Sequence, residues 1–169
     1  IKTTSLSLLK EKILIERLLI KLQSNEKAYW VCPLIEESEE LDLKAANERY
    51  EHLNKIFNKK VLIIHGQLKE KEKEEVMYKF QNEDYKILVS TTVIEVGIDI
   101  KEATTIIIEH AERFGLAQLH QLRGRVGRND IQSSCILLHK DRIGENAKKR
   151  ILKMKETNDG FEIAKKDLE

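Results

Sequence analysis

The sequence is poor in the residues that form disulfides and metal centres. Its 169 residues include two cysteines, Cys32 and Cys135, and each lies in an apolar stretch that is typical of a buried, reduced thiol. Its five histidines are scattered, and neither they nor the cysteines have the short spacing of metal ligands. We therefore expect free thiols and no metal site.

Long hydrophobic runs and a strong net charge are also lacking. No run approaches the roughly 20 residues of a membrane span, and no signal peptide opens the chain. The formal net charge of +1 indicates no partner by itself. With 41% hydrophobic and 35% charged residues, the composition excludes a disordered chain and favours one globular domain. We expect a cytoplasmic protein without membrane contact, and we interpret the chain as a piece of a longer polypeptide.

Short apolar stretches alternate with amphipathic ones along the chain. Their patterns predict strands at 28–32, 61–64, 86–90, 104–109 and 133–139, and helices at 6–23, 41–57, 69–81, 115–122, 144–155 and 161–168. Wholly apolar strands that alternate with helices are typical of a mainly parallel sheet covered on both faces. We therefore predict an α/β fold with a leading helix at 1–24, a lobe at 25–141 and the start of a helical hairpin at 142–169.

Ligands of open α/β sheets bind beyond the carboxyl ends of the strands. Three stretches that follow predicted strands carry polar chemistry: His65-Gly66-Gln67, Ser90 to Asp99, and Gln121 to Arg128. The first, with His65 and Gly66, is a candidate for contacts with nucleic acid. A purely structural turn between a strand and a helix is the alternative.

The stretch Gln121 to Arg128, with the pattern Gln-x-x-Gly-Arg-x-Gly-Arg, is the most specific of the three. Arg125 and Arg128 are three residues apart and would share a face of one helical turn, while Gly124 and Gly127 leave room for another surface. Guanidinium groups bind phosphate oxygens through two donors and stay charged at all pH values. The stretch therefore predicts an arginine finger for a γ-phosphate. An exposed basic helix with surface salt bridges is the alternative.

The stretch Ser90 to Asp99 is a weaker signal. Thr91 and Thr92 leave a strand and could bind a nucleic-acid phosphate, although such residues serve equally often as a helix cap. Gly97 permits a close turn, and Asp99 could accept a hydrogen bond from a ribose hydroxyl.

In this order the three stretches resemble the later motifs of superfamily 2 helicases. Proteins of this superfamily bind ATP between two RecA-like lobes. The first lobe carries a phosphate loop and an acidic magnesium box, and neither occurs in this sequence. The resemblance implies that the chain is the second lobe, a RecA-like three-layer sandwich, and that it cannot hydrolyse ATP by itself.

The resemblance also implies roles for individual residues. Arg128 would be the arginine finger, Arg125 a second γ-phosphate contact, and Gln121 a link between nucleotide and nucleic acid. Gly97 and Asp99 would approach the ribose of ATP. ATP and Mg²⁺ would be held mainly by the first lobe.

Further stretches narrow the match. Phe114 to Arg128 resembles a signature shared by RecG and the transcription-repair coupling factor, two double-stranded DNA translocases, whereas Cys32 to Glu39 and Thr91 to Gly97 resemble RecG specifically. RecG-like enzymes are ATP-dependent helicases that remodel branched double-stranded DNA, such as stalled forks and Holliday junctions, in recombination and repair. A wedge domain elsewhere in the polypeptide would recognise the branch. DNA contacts of the lobe itself would come from Thr91, Thr92, His65 and Gly66.

The carboxyl-terminal stretch is basic. Residues 140–155 hold seven basic side chains, including Lys148, Lys149 and Arg150, against two acidic ones. This asymmetry favours a surface that faces DNA, and a solvated helix face or a protein-docking surface is the alternative. For the whole chain, the alternatives to a RecG-like lobe are a transcription-repair coupling factor and a non-enzymatic α/β module that binds nucleotide or protein.

Overall fold

A sheet of six parallel strands forms the centre of the protein. The computed structural model describes residues 1–34, 38–91, 100–127 and 132–156. Its strands are β1 (Lys2–Ser7), β2 (Lys27–Cys32), β3 (Val61–Ile64), β4 (Ile87–Thr91), β5 (Ala103–Ile108) and β6 (Ser134–His139). Its helices are α1 (Glu11–Lys21), α2 (Glu39–Ile56), α3 (Glu70–Asn82), α4 (Leu116–Arg123) and α5 (Glu145–Glu156), with 3₁₀ turns at Leu8–Lys10 and Ala111–Arg113. The strand order is β1-β6-β5-β2-β4-β3.

Helices cover both faces of this sheet, so that two apolar cores form. On one face α1 and α2 pack over Trp30, Ile107 and neighbouring residues. On the other face α3, α4 and α5 pack over a second cluster that contains Phe80 and Leu119. Every residue of β5 is buried, which explains its continuous apolar run. The predicted three-layer α/β sandwich with a parallel sheet is confirmed.

The amino-terminal segment differs from the prediction. Residues 2–7 form β1, which pairs with β6 from Lys2 opposite Ser134 to Ser7 opposite His139. Ser7 is extended, and its hydroxyl accepts a hydrogen bond from the N–H of Leu9, so it caps the 3₁₀ turn at Leu8–Lys10 that precedes α1 at Glu11. The prediction of a helix from residue 6, within a leading helix at 1–24, is therefore wrong for residues 2–10. The strand was missed because its pairing partner lies far away in the sequence.

The carboxyl-terminal helix α5 is confirmed. Its buried residues Ala147, Ile151 and Met154 face the protein, and α5 contacts α4 and β1. The second predicted helix, at 161–168, lies outside the described residues. The division into domains at residues 24 and 141 stays a prediction.

Parallel pairing gives the sheet two chemically different edges. The strands end at Cys32, Ile64, Thr91, Ile108 and His139 along what we term the carboxyl edge, with Ser7 at its end. The strands begin along the opposite, amino edge, where Lys2, Lys27 and Ser134 lie. These two edges locate the functional candidates.

An ion-pair network joins α1 and α2 to the carboxyl edge. Arg49 of α2 donates to Glu109, just after β5, with an Nε–Oε1 distance of 2.7 Å. It also donates to Glu11 of α1, with an Nη2–Oε2 distance of 3.0 Å. Its guanidinium lies 4.8 Å from the ring centroid of Trp30, whose indole N–H donates to Glu109 at 2.9 Å. Arg49 is therefore neutralised within the lobe, and its role is structural.

Candidate functional site

Helix α4 carries Gln121 on its exposed side. Three leucines spaced three residues apart are buried against the sheet, namely Leu116, Leu119 and Leu122. Gln121 belongs to the last turn of the same helix and is exposed. Its amide is therefore open to a partner surface.

The turn that follows α4, residues 124–127, carries Arg125, and we call it the arginine turn. The N–H of Arg125 donates to the carbonyl of Leu122 at 3.1 Å, and that of Val126 to the carbonyl of Arg123 at 3.3 Å. Val126 is buried and anchors the turn, whereas Arg125 is half-buried. Gly127 has a φ of +83°, which no helical residue adopts. Because α4 ends at Arg123, the expectation that Arg125 lies on a helical turn is wrong, and Arg128 lies outside the described residues.

The arginine turn lies at the amino edge of the sheet. A methyl group on Gly127 would meet side-chain atoms of Ile1 at 2.5 and 2.7 Å and the Cβ of Ser133 at 3.9 Å. Ser133 directly precedes β6, and its carbonyl accepts from the N–H of Lys2 at 2.9 Å. The expectation that the arginine stretch lies at the carboxyl ends of the strands is therefore wrong, because α4 returns the chain to the opposite edge.

Arg123 is buried, unlike its neighbours in the stretch. It is 2% exposed, and its guanidinium donates to the carbonyl of Met154 in α5 at 2.6 Å and to the hydroxyl of Thr3 in β1 at 3.3 Å. Its Nη2 lies 3.3 Å from Nδ1 of His120. Burial lowers the pKa of Arg123 from its ordinary value. Arg123 therefore links α4, α5 and β1 rather than facing a ligand.

Sequence reasoning grouped Arg123 with the other arginines, although a signal was present. Position 123 follows Leu116 by seven residues and Leu119 by four, so it belongs to the inner face of α4. An arginine at such a position must find hydrogen-bond acceptors inside the protein.

The carboxyl edge brings two of the predicted DNA-contacting residues next to each other. Thr91 is the last residue of β4 and is half-buried, and His65 directly follows β3. Ile64 pairs with Ser90, so His65 and Thr91 occupy neighbouring positions on strands about 4.8 Å apart. Gly66 is exposed, and nothing lies within 4 Å of where its Cβ would be.

His65 presents a neutral ring at this edge. Burial lowers its pKa from the ordinary value, with Lys73 acting in the same direction and Glu72 against it. Its Nδ1 accepts a hydrogen bond from the N–H of Gln67 at 3.2 Å. The ring can donate from Nε2 to a phosphate oxygen, but it adds no positive charge at neutral pH.

Four predicted site residues lie outside the described residues: Thr92, Gly97, Asp99 and Arg128. Residues 92–99 connect Thr91 at the carboxyl edge to Ile100, whose carbonyl accepts from the N–H of Ala103 at 3.1 Å where β5 begins. One segment of chain thus joins a DNA candidate to the amino edge.

The basic carboxyl-terminal stretch combines exposed lysines with a structural arginine. Lys148 and Lys149 are exposed on α5. Arg150 is half-buried and donates to the carbonyls of Glu112 at 2.9 Å and Phe114 at 3.2 Å. Arg150 therefore binds α5 to the 3₁₀ turn after β5. The predicted DNA-facing surface can include Lys148 and Lys149 but not Arg150.

Both cysteines are buried and unpaired in disulfides, as predicted. Burial raises the pKa of both thiols, that of Cys135 to about 12. Within the described parts of the chain, no group of three or more histidine, cysteine or acidic side chains could hold a metal ion. The described helices include none with the length and hydropathy for crossing a bilayer.

A comparison with known protein families decides whether this α/β domain is part of a helicase. Residues 9–130 match the family described as the helicase conserved C-terminal domain. The chain belongs to this family. This assignment agrees with the arginine stretch at residues 121–128, which lies entirely inside the matched region.

Individual relatives are of the RecG type. The chain is 54% identical over 157 residues to the ATP-dependent DNA helicase RecG of Acidithiobacillus ferridurans, covering 92% of this chain and 23% of that protein. It is 51% identical over 151 residues to RecG of Bacillus subtilis, covering 88% of this chain and 22% of that protein. The chain therefore spans less than a quarter of the length of these relatives.

A solved structure of RecG bound to a three-way DNA junction has the same fold. It matches 99% of this chain and 22% of its own chain, with a TM-score of 0.85 and 42% identity. The predicted resemblance to the RecA-like second lobe of a RecG-type helicase is confirmed.

Arg123 offers a test of how this helicase domain is held together. Replacement by lysine is expected to lower the free energy of unfolding by about 2 kcal/mol, because a single ammonium group cannot reproduce a buried guanidinium fork. Urea unfolding of the chain, followed by circular dichroism, measures the change. The exposed Arg142, replaced by lysine, is the matched control and should change stability by less than about 0.5 kcal/mol. Equal stability of the two variants would show that the buried link is dispensable.

Proposed function

We propose that this chain is the second motor lobe of an ATP-dependent helicase that remodels branched double-stranded DNA, such as stalled forks and Holliday junctions, in recombination and repair. The observation that carries the proposal is the separation of two sets of contacts on one sheet. The arginine turn lies at the amino edge, whereas Thr91 and His65 lie at the carboxyl edge. Such a lobe can contact a nucleotide with one edge while it contacts DNA with the other.

At the amino edge the ligand is the phosphate chain of ATP. Arg125 sits on a turn that Val126 and Arg123 anchor, so its backbone is already held in place when its guanidinium binds a phosphate oxygen. Arg128 acts as the finger that neutralises charge on the γ-phosphate as the transition state forms. Gln121, exposed on α4, links the nucleotide to the nucleic acid. Gly97 and Asp99 approach the ribose.

ATP and Mg²⁺ are held mainly by the first lobe of the same polypeptide. Among the described residues there is no acidic cluster for Mg²⁺, and the sequence has no phosphate loop. This lobe therefore supplies guanidinium charge to a nucleotide that another lobe binds. By itself it is inactive towards ATP.

At the carboxyl edge the ligand is the DNA backbone. The hydroxyls of Thr91 and Thr92, the Nε2 of His65 and the open backbone of Gly66 provide neutral contacts to phosphate oxygens. Neutral hydrogen-bond donors fix the position of the DNA backbone on the lobe but add little electrostatic attraction. The exposed lysines Lys148 and Lys149 on α5 add the charge that attracts the DNA from a distance.

The two edges are coupled through the chain that joins them. Residues 92–99 run from a DNA contact at Thr91 to Asp99, which approaches the nucleotide. When hydrolysis opens and closes the cleft between the lobes, the DNA contacts of the second lobe move relative to those of the first. A wedge domain of the same polypeptide recognises the branch point, and the enzyme works in the cytoplasm. The high identity to RecG favours this function over that of a transcription-repair coupling factor.

The arginine finger is tested by Arg128→Ala in the full-length protein. Loss of a guanidinium that acts in the transition state is expected to lower DNA-stimulated ATP turnover by roughly 10³- to 10⁵-fold, with a much smaller change in KM. Arg128→Lys keeps the positive charge but loses the two-donor guanidinium, so its turnover should lie between those of the wild type and Arg128→Ala. Lys71→Ala, on the exposed side of α3, is the control and should keep normal turnover. Near-normal turnover of Arg128→Ala would exclude the finger.

The role of α5 is tested by the double substitution Lys148→Glu and Lys149→Glu in the full-length protein, with Arg150 unchanged. Binding to forked DNA is expected to weaken, and the slope of log affinity against log salt should fall by about 1 to 2 as phosphate contacts are lost. The control is the double substitution Lys12→Glu and Lys55→Glu, at exposed positions of α1 and α2. If both pairs change the slope equally, α5 makes no specific contribution.

A further inference from the structure

A groove runs along α1 on the face of the sheet that α1 and α2 cover. It has a volume of about 360 Å³ and lies between α1 and the strands β1, β6 and β5. Its walls combine apolar side chains, among them Leu6, Leu14 and Ile136, with hydroxyl and basic ones. Volume and lining suit one or two inserted side chains with apolar character.

The side of this groove formed by α1 is basic. Three basic residues form a row about 16 Å long on this side, because Arg17 follows Lys10 by seven residues and Lys21 follows Arg17 by four. Lys21 reaches into the groove, where its Nζ donates to the hydroxyl of Ser134 at 3.3 Å. None of the described residues that line the groove is acidic. The groove is therefore complementary to an occupant that carries carboxylates.

The floor of the groove contains a hydroxyl without a partner. Thr105 of β5 is fully buried, and its Oγ1 is the one buried side-chain polar atom of the described residues that makes no hydrogen bond. Buried polar groups in folded proteins almost always have a partner. Because Thr105 lines the groove, an acceptor atom of the occupant can supply the missing hydrogen bond.

Next to the groove, α1 exposes large apolar side chains to solvent. Leu9, Ile13 and Ile20 are 79%, 49% and 72% exposed and are four and seven residues apart, so they form one stripe beside the basic row. Exposed apolar stripes with a charged rim are typical of protein-docking surfaces. Groove, row and stripe together form one continuous docking surface.

We propose that this surface docks a segment that lies elsewhere in the same polypeptide and carries both carboxylates and apolar side chains. One carboxylate of the segment would accept from Lys21 and from the hydroxyl of Thr105, while its apolar side chains cover Ile13 and Ile20. Two observations favour an intramolecular occupant. RecG-type relatives are about four times as long as this chain, and a groove of 360 Å³ admits only one or two side chains. A tethered segment binds such a groove because its effective concentration is high. The inference does not depend on the proposed roles of the arginines.

The experiment places a photoreactive phenylalanine derivative at position 20 of the full-length protein. After irradiation, we expect adducts within one molecule, at monomer mass, to a segment outside these 169 residues that is rich in acidic residues. The matched control carries the same group at Tyr78, which is 64% exposed on α3 and should give no adduct with that segment. Equal adducts from both positions, no adducts, or adducts only between two molecules or with DNA would overturn the proposal.

Two further variants separate charge from folding. The double substitution Arg17→Glu and Lys21→Glu should lower the adduct yield by about tenfold, because it places like charges opposite each other, while Lys12→Glu on the other side of α1 should not. Thr105→Val keeps the shape and removes the unpartnered hydroxyl, so the protein should fold normally and the yield should fall by roughly threefold. An unchanged yield in both the charge-reversed and the valine protein would contradict the proposed docking.

Discussion

The contact on which the placement of the candidate site depends is the buried guanidinium of Arg123. It joins the last turn of α4 to the carbonyl of Met154 in α5 and to the hydroxyl of Thr3 in β1, which is 120 residues away in the sequence. A buried cation is tolerated only when its donors are satisfied, so the three elements are constrained to one arrangement. Because the arginine turn begins at the next residue, this arrangement also fixes where Arg125 stands. A structural arginine thus positions Arg125, the neighbouring candidate for a phosphate contact.

The parallel sheet separates the two groups of candidate residues. Helix α4 returns the chain to the amino edge, so the phosphate-binding candidates lie opposite the DNA candidates rather than beside them. In the proposed function the sheet lies between the nucleotide contacts at one edge and the DNA contacts at the other, and residues 92–99 connect the two along the chain. Arg49 and Arg150 stiffen the same framework by binding Glu11, Glu109 and backbone carbonyls. Arg49 and Arg150 are therefore structural arginines, because their guanidinium groups bind acceptors of the lobe itself.

Much of the fold could be predicted because parallel strands buried on both faces have wholly apolar sequences. Ile87 to Val89 and Ile106 to Ile108 are of this kind, and the strands that contain them were expected within a few residues of their observed bounds. Strand β1 could not be recognised in this way. Its sequence is Lys-Thr-Thr-Ser-Leu-Ser, its residues are only partly buried at the edge of the sheet, and its partner β6 is more than 120 residues away.

The candidate site could be predicted in its residues but not in its geometry. The pattern from Gln121 to Arg128 identified the family, because its residue types and spacing are specific. The spacing of Arg123 from Leu116 and Leu119 places it on the inner face of α4, but its hydrogen-bond partners Met154 and Thr3 are far away in the sequence and could not be predicted. The position of the turn at the amino edge is a property of the tertiary fold. The unpartnered hydroxyl of Thr105 is likewise visible only once α1 and the sheet are assembled.

The central claim is that this lobe contributes guanidinium charge to a transition state formed on another lobe. Its most direct test compares two ligands of full-length Arg128→Ala in the presence of forked DNA: ADP with aluminium fluoride, which mimics the transition state, and a non-hydrolysable ATP analogue, which mimics the ground state. The account predicts that the affinity for the transition-state mimic falls by roughly 10²-fold or more, while the affinity for the ATP analogue changes little. Equal losses for both ligands, or no loss for either, would contradict it.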